Sequence, residues 1–233
     1  LTVDPMAVIT AAQISNLTDT QVSKLSVTQL QALTSDSLRA LTETQIQSIT
    51  TTGIKGLALD QVASLTTTQL AALSTAQVVS LTASQIESLT TAQISKLTET
   101  QIDKMTTAQI KAIETADLVN MTAAQLQAIT TAGVKAMLAD QVTALTTAQV
   151  SQFTVAQVGV LTASQVQAME TADLAAMTND QVAALTTTAV KGMSVEQLSN
   201  ITTAQLASLT TAQVAVLTAD QLAGLTTGQI SKL

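Results

Sequence analysis

An all-α repeat solenoid of 29 eight-residue mini-helices is the fold class that three observations predict: an unbroken period of eight, a helix start signal within each period, and a charge polarity that follows that signal. Read from Leu1 in steps of eight, the 233 residues fall into 29 octads without insertion or deletion, and Leu233 opens a thirtieth. A fixed short period means an array that grows linearly, with no closed globular core. One repeat domain over residues 1–233 is therefore expected.

The octad LTTAQISK, Leu89 to Lys96, defines the positions. Position 1 is Leu, Ile, Met or Phe in all 29 octads, and position 6 is Ile, Val or Leu in 28, with Met6 as the exception. Position 2 is Thr or Ser in 25 and position 5 is Gln in 22. One continuous helix does not fit, because an eight-residue repeat turns the apolar stripe by about 80° per octad at 3.6 residues per turn. A short helix in each octad accounts for every position. Thr90 is the N-cap and Gln93 the third helical residue of a capping box, with Leu89 and Ile94 at the two positions of a hydrophobic staple. The helix then runs from about position 3 to position 8 or the next position 1.

Charges support this register without having set it. All nine bases (Lys24, Arg39, Lys55, Lys96, Lys104, Lys111, Lys135, Lys191 and Lys232) stand at position 7 or 8. Of the 16 acids, 14 stand at positions 2 to 5, and only Glu87 and Asp103 do not. Helices favour acids in the first turn and bases in the last. Asn16, Gly56, Asn120, Gly192, Asn200 and Gly224 at position 8 are expected to end helices in the left-handed conformation. Pro5 fits a first turn, where no intrahelical donor is lost. A β-solenoid is the alternative, favoured by Thr, Ile and Val. Against it stand the lack of strand alternation and the dominance of Leu, Ala and Gln.

An isolated octad cannot fold. Ordering eight backbones costs about 8 to 16 kcal/mol, while two buried aliphatic side chains and a cap return roughly 4 to 7. Positions 1 and 6 should therefore stack into an aliphatic spine, with small residues at position 4 allowing close approach. Above the octad, a 32-residue block recurs from Leu33, Ile113 and Met169. In it the box Gln is lost at Ser37, Asp117 and Asp173, and again two octads later at Gly53, Gly133 and Ala189. Duplication of a block during growth of the array accounts for this pattern; a recurrent docking or bending element is the other reading.

Composition removes most chemistry. His, Cys, Trp and Tyr are absent, Phe153 is the sole aromatic, and the net charge is −7. Nucleic-acid binding is not expected without a basic patch or aromatic platform. No catalytic, cofactor-binding or metal residue is assigned, and the chain is not expected to be an enzyme. Glu114 with Asp117 and Glu170 with Asp173 come nearest to a carboxylate pair, but calcium needs six to eight oxygens. Asp is better read there as a first-turn acid. The threonines are expected to cap helices rather than order ice, and Met105, Met121 and Met137 to fill core. Asn16, Asn120 and Asn200 form N-x-T triplets only because Asn at position 8 precedes an apolar residue and Thr. No apolar run reaches membrane-spanning length, and no signal peptide is evident. With no initiating Met and the last octad, LTTGQISK, as regular as any other, the expectation is a longer parent chain or end-to-end association.

The uninterrupted phrase L-T-T-A-Q-[IVL]-x-x, as in Leu145-Thr146-Thr147-Ala148-Gln149-Val150, resembles octad arrays of large bacterial surface and secreted proteins of the adhesin-like kind. That resemblance implies an extracellular stalk, spacer or self-assembling surface filament. The other function carried forward is an adhesin-like binding module recognising a peptide, glycan or surface.

Overall fold

A computed structural model describes residues 8–233. Pro5 and Met6 lie outside the described residues. Each of the 28 octads from Ile9 onward holds one helix of four to six residues, from Ala11–Ile14 to Thr227–Ile230, and every helix begins at position 3. No strand occurs among the described residues, so the β-solenoid alternative is overturned. The chain packs as two compact units, one ending at Asn120 and one running from Met121 to Leu233.

Each octad is a helix joined to the next by two extended residues, positions 1 and 2. Leu81, for instance, has φ −60° and ψ 138°, and the N-cap Thr82 has φ −74° and ψ 162°. The helix closes with a tight turn, in which the position 1 N–H donates to the position 6 carbonyl three residues earlier, as from Leu81 to Val78 at 3.1 Å. No residue with positive φ occurs among the described residues, glycine included. The expected left-handed helix ends are therefore absent. Asn16, Asn120 and Asn200 instead turn their amides back onto the carbonyls of Ala12, Ala116 and Glu196 at 2.6, 2.8 and 2.8 Å, which supplies donors to helix ends.

Three octads complete one turn of the solenoid, because within each unit helices pack on the helix three further along. Thr51–Gly56 packs on Thr75–Ser80, and Ala163–Ala168 on Thr187–Gly192. Positions 1 and 6 make the core: Ile46, Leu70, Val78 and Ile86 are fully buried, and Leu41, Leu73 and Leu81 nearly so. Met105, Met121 and Met137 lie in this core, as expected.

Position 4 does not mediate close approach, since it is exposed in every described octad. Successive turns meet instead where position 8 faces position 3 of the octad one turn earlier. A Cβ on Gly56 would stand 2.5 Å from Val27 Cγ1, and one on Gly192 would stand 3.0 Å from Ala163 Cβ. Gly224 is likewise closed in by Val195. Val27 and Val195 at position 3 are thus each matched by glycine at position 8 one turn later, whereas Val155 has Ala184 there.

Candidate functional element: three glutamine ladders

The capping box forms as the sequence predicts. In all but four described helices a Thr or Ser hydroxyl accepts from the third helical N–H, the exceptions being those capped by Ala58, Glu114, Leu138 and Glu170. At Ala58 and Leu138 only the glutamine half survives: the Gln61 and Gln141 Oε1 atoms accept from the cap N–H at 3.0 and 2.9 Å.

The glutamine does more than close its own box. From Gln45 onward nearly every position 5 Gln is buried, Gln69 at 3% exposure, and its amide has a second partner one turn away. Gln69 Oε1 accepts from Thr66 N–H at 2.9 Å, while its Nε2 donates to the carbonyls of Leu41 and Leu38 at 2.8 and 2.9 Å. The Leu41 carbonyl lies in the extended link, out of reach of the helical hydrogen bonds. A buried carbonyl without a donor is costly, and the glutamine supplies that donor.

The pattern propagates. Thr42, which shares a peptide bond with Leu41, donates its N–H to Gln45 Oε1 at 2.7 Å, and Gln45 Nε2 donates to the Leu17 carbonyl. In the other direction Gln93 Nε2 donates to the Leu65 carbonyl at 2.7 Å, and Thr90 N–H to Gln93 Oε1 at 2.8 Å. Link peptide, glutamine amide and link peptide thus alternate within each unit. With three octads per turn there are three such ladders side by side. A lighter outer stitch runs the opposite way: position 7 Gln31, Gln47, Gln127 and Gln167 donate to the carbonyls of Gly56, Ala72, Gln152 and Gly192, 25 residues ahead, at 2.7 to 2.8 Å.

The recurrent block now has a structural meaning, since each of its departures from Gln alters a ladder rung. Ser37 replaces the amide with a hydroxyl that donates to the Ile9 carbonyl at 2.8 Å. Gly53 fits because Leu30 occupies the side-chain space: a Cβ there would stand 2.7 Å from Leu30 Cδ1. Asp117 and Asp173 are buried at 3% and 2% exposure, while their supposed partners Glu114 and Glu170 are exposed N-caps. The pairs therefore do not converge as carboxylate sites. Asp117 Oδ1 accepts from Thr91 Oγ1 at 2.6 Å, and Asp173 Oδ1 from Thr147 Oγ1 at 2.8 Å. Asp173 Oδ2 accepts from Glu170 N–H at 3.2 Å, the acid counterpart of the glutamine half-box.

Charge contributes little to this architecture. Arg39 pairs with Asp36, and Lys104 with Asp103 at 2.7 Å, all well exposed, where such pairs are weak. No helix is long and apolar enough to cross a membrane, and no group of three or more acidic, His or Cys residues is placed to hold a metal, among the described residues.

The coil and its ladders define a helical repeat solenoid. The chain belongs to the ALTTAQ repeat family, whose model matches residues 67–99, 110–147, 166–203 and 199–233, more than half of the sequence. Among curated proteins, none matches the chain.

Proposed function

We propose that this repeat protein is structural and not an enzyme: a stalk, spacer or self-assembling filament of the bacterial cell surface, joined end to end or continued in a longer chain. The observation that carries the reading is the ladder. The position 5 amides bond within their own octad and to the octads three and four earlier, so the array transmits load through contacts between neighbouring turns and extends by adding octads. The surface location rests on the resemblance of the octad phrase to adhesin-like arrays. Electron microscopy of the purified chain, with immunolabelling of the cells that make it, tests the proposal. Elongated particles or filaments outside the cell support it; compact particles held in the cytoplasm overturn it.

The second reading, a binding module for a peptide or glycan, is favoured by the open groove between successive turns. One stretch is lined by Arg39, Thr42, Glu43, Thr44, Thr66 and Thr68. Binding to a glycan or peptide array that is lost in Arg39→Ala would favour it over the spacer.

A further inference from the structure

The recurrent block thins two of the three ladders within a single turn. In an ordinary joint all three glutamines reach the turn beneath. Gln85, Gln93 and Gln101 donate from Nε2 to the link carbonyls of Leu57, Leu65 and Leu73 at 2.8, 2.7 and 2.7 Å, and to the position 6 carbonyls of Ile54, Val62 and Leu70 at 3.2, 3.1 and 3.0 Å. In the first and third copies of the block, each of which lies with the turn beneath it inside one unit, position 5 reads Ser37, Gln45, Gly53 and Asp173, Gln181, Ala189. One glutamine survives in each of these turns, and it sits differently. Gln45 and Gln181 donate to the link carbonyls of Leu17 and Phe153 and to the position 7 carbonyls of Ser15 and Ser151 at 3.0 and 3.1 Å, in place of the position 6 carbonyl. Ser37 and Asp173 each keep one bond to the turn beneath, at 2.8 Å, whereas Gly53 and Ala189 have no side-chain donor to offer.

Where the inner donor is gone, an outer one stands in. Gln31 Nε2 donates to the Gly56 carbonyl and Gln167 Nε2 to the Gly192 carbonyl, both at 2.7 Å, and these are the octads that carry Gly53 and Ala189. Both glutamines are exposed. Water can replace an exposed hydrogen bond at little cost, but a buried rung cannot be parted without leaving its carbonyl unpaired. We propose that Gln31 and Gln167 are latches on two built-in joints, one between residues 9–32 and 33–56 and one between residues 145–168 and 169–192, at which successive turns part before they part elsewhere. The joints give the array fixed places to yield, set by the block. This inference rests on the ladder and goes beyond the functional readings above: it applies to a stalk and to a binding module alike, so its failure leaves both standing.

Native-state hydrogen exchange of the full chain provides the test. Helices Ala163–Ala168 and Thr187–Gly192 border the second joint, and helices Leu59–Ser64 and Ala83–Glu87 border the fully runged joint of Gln85. Relative to unfolded rates, amides of the first pair should exchange about tenfold faster than those of the second. Gln167→Met keeps the side-chain length and removes only the donor, at an exposed position where the fold should hold. It should speed exchange in the first pair by about a further fivefold and leave the second pair within about twofold. Gln31→Met should do the same to Val27–Gln31 and Thr51–Gly56. Equal or greater protection at the latched joint in the unsubstituted chain overturns the proposal, since the close packing of Gly192 on Ala163 would then make up for the missing rungs. No change in Gln167→Met, or a change spread evenly over both pairs, overturns it as well.

Discussion

Truncating one ladder glutamine tests how far its influence reaches. In Gln69→Ala two backbone groups lose their partner at once: Thr66 N–H, which donates to Gln69 Oε1 at 2.9 Å, and the Leu41 carbonyl, which accepts from Nε2 at 2.8 Å. The Leu38 carbonyl keeps a donor, because Leu41 N–H also reaches it at 3.2 Å. Each orphaned buried group costs ~1 to 3 kcal/mol, so the substitution should destabilise its surroundings by about 3 kcal/mol. The comparison variant is Thr66→Ala, which removes only the local cap and should cost about 1 kcal/mol. Native-state hydrogen exchange separates them. Gln69→Ala should deprotect two stretches, residues 65–72 and residues 38–46, whereas Thr66→Ala should affect the first alone. Deprotection confined to residues 65–72 in Gln69→Ala, or a cost no greater than that of Thr66→Ala, would refute the ladder.

Three further outcomes are expected. Gly56→Ala, a change that usually stabilises a helix by up to ~1 kcal/mol, should here destabilise by about 1 to 3 kcal/mol through overpacking against Val27. Adding Val27→Ala should reverse the sign, which a double-mutant cycle in urea would record. Ala58→Thr should restore the missing cap beside Gln61 and stabilise by about 1 kcal/mol, read as a higher urea midpoint with unchanged slope. Gln47→Ala removes an exposed outer stitch to the Ala72 carbonyl and should cost less than about 1 kcal/mol, well below Gln69→Ala in the same assay.

The local half of this architecture was legible in the sequence because its signals act within one octad. Thr90 with Gln93 announces a cap and box, and Leu89 with Ile94 announces the core. The register of helix starts followed from these alone. The nonlocal half was not, because Gln93 Nε2 acts on Leu65, 28 residues away, and no local pattern encodes that partner. One signal pointed to it. Glu closes a capping box as well as Gln and suits the helix dipole better, yet position 5 holds no Glu in any octad. The amide donor that the ladder uses accounts for the preference for Gln over Glu, and Ser37 supplies a hydroxyl donor in its place, whereas Asp117 and Asp173 are the acidic departures that break the ladder. Two expectations failed for a shared reason. Position 4 was expected to permit close approach and position 8 to end helices by a left-handed residue, when position 8 itself is the close-approach site, as Gly56 against Val27 shows. The choice of glycine there is steric, set by a side chain one turn away. The recurrent block was visible as missing glutamines, but its meaning as ladder breaks needed the three-octad turn.

That turn is the central claim, and a crosslink tests it most directly in a chain that has no cysteine of its own. Position 8 of one octad should lie against position 3 of the octad three earlier, a separation of 29 residues, as Gly192 lies against Ala163. Ala163→Cys with Gly192→Cys should oxidise to an intramolecular disulfide, since the 3.0 Å Cβ separation is close to the ~3.5 to 4.5 Å such bonds need. Pairing Ala163→Cys with Ala184→Cys or Asn200→Cys shifts the register by one octad and should leave free thiols. Efficient crosslinking at either shifted register, or none between positions 163 and 192, would contradict the three-octad turn and the ladders built on it.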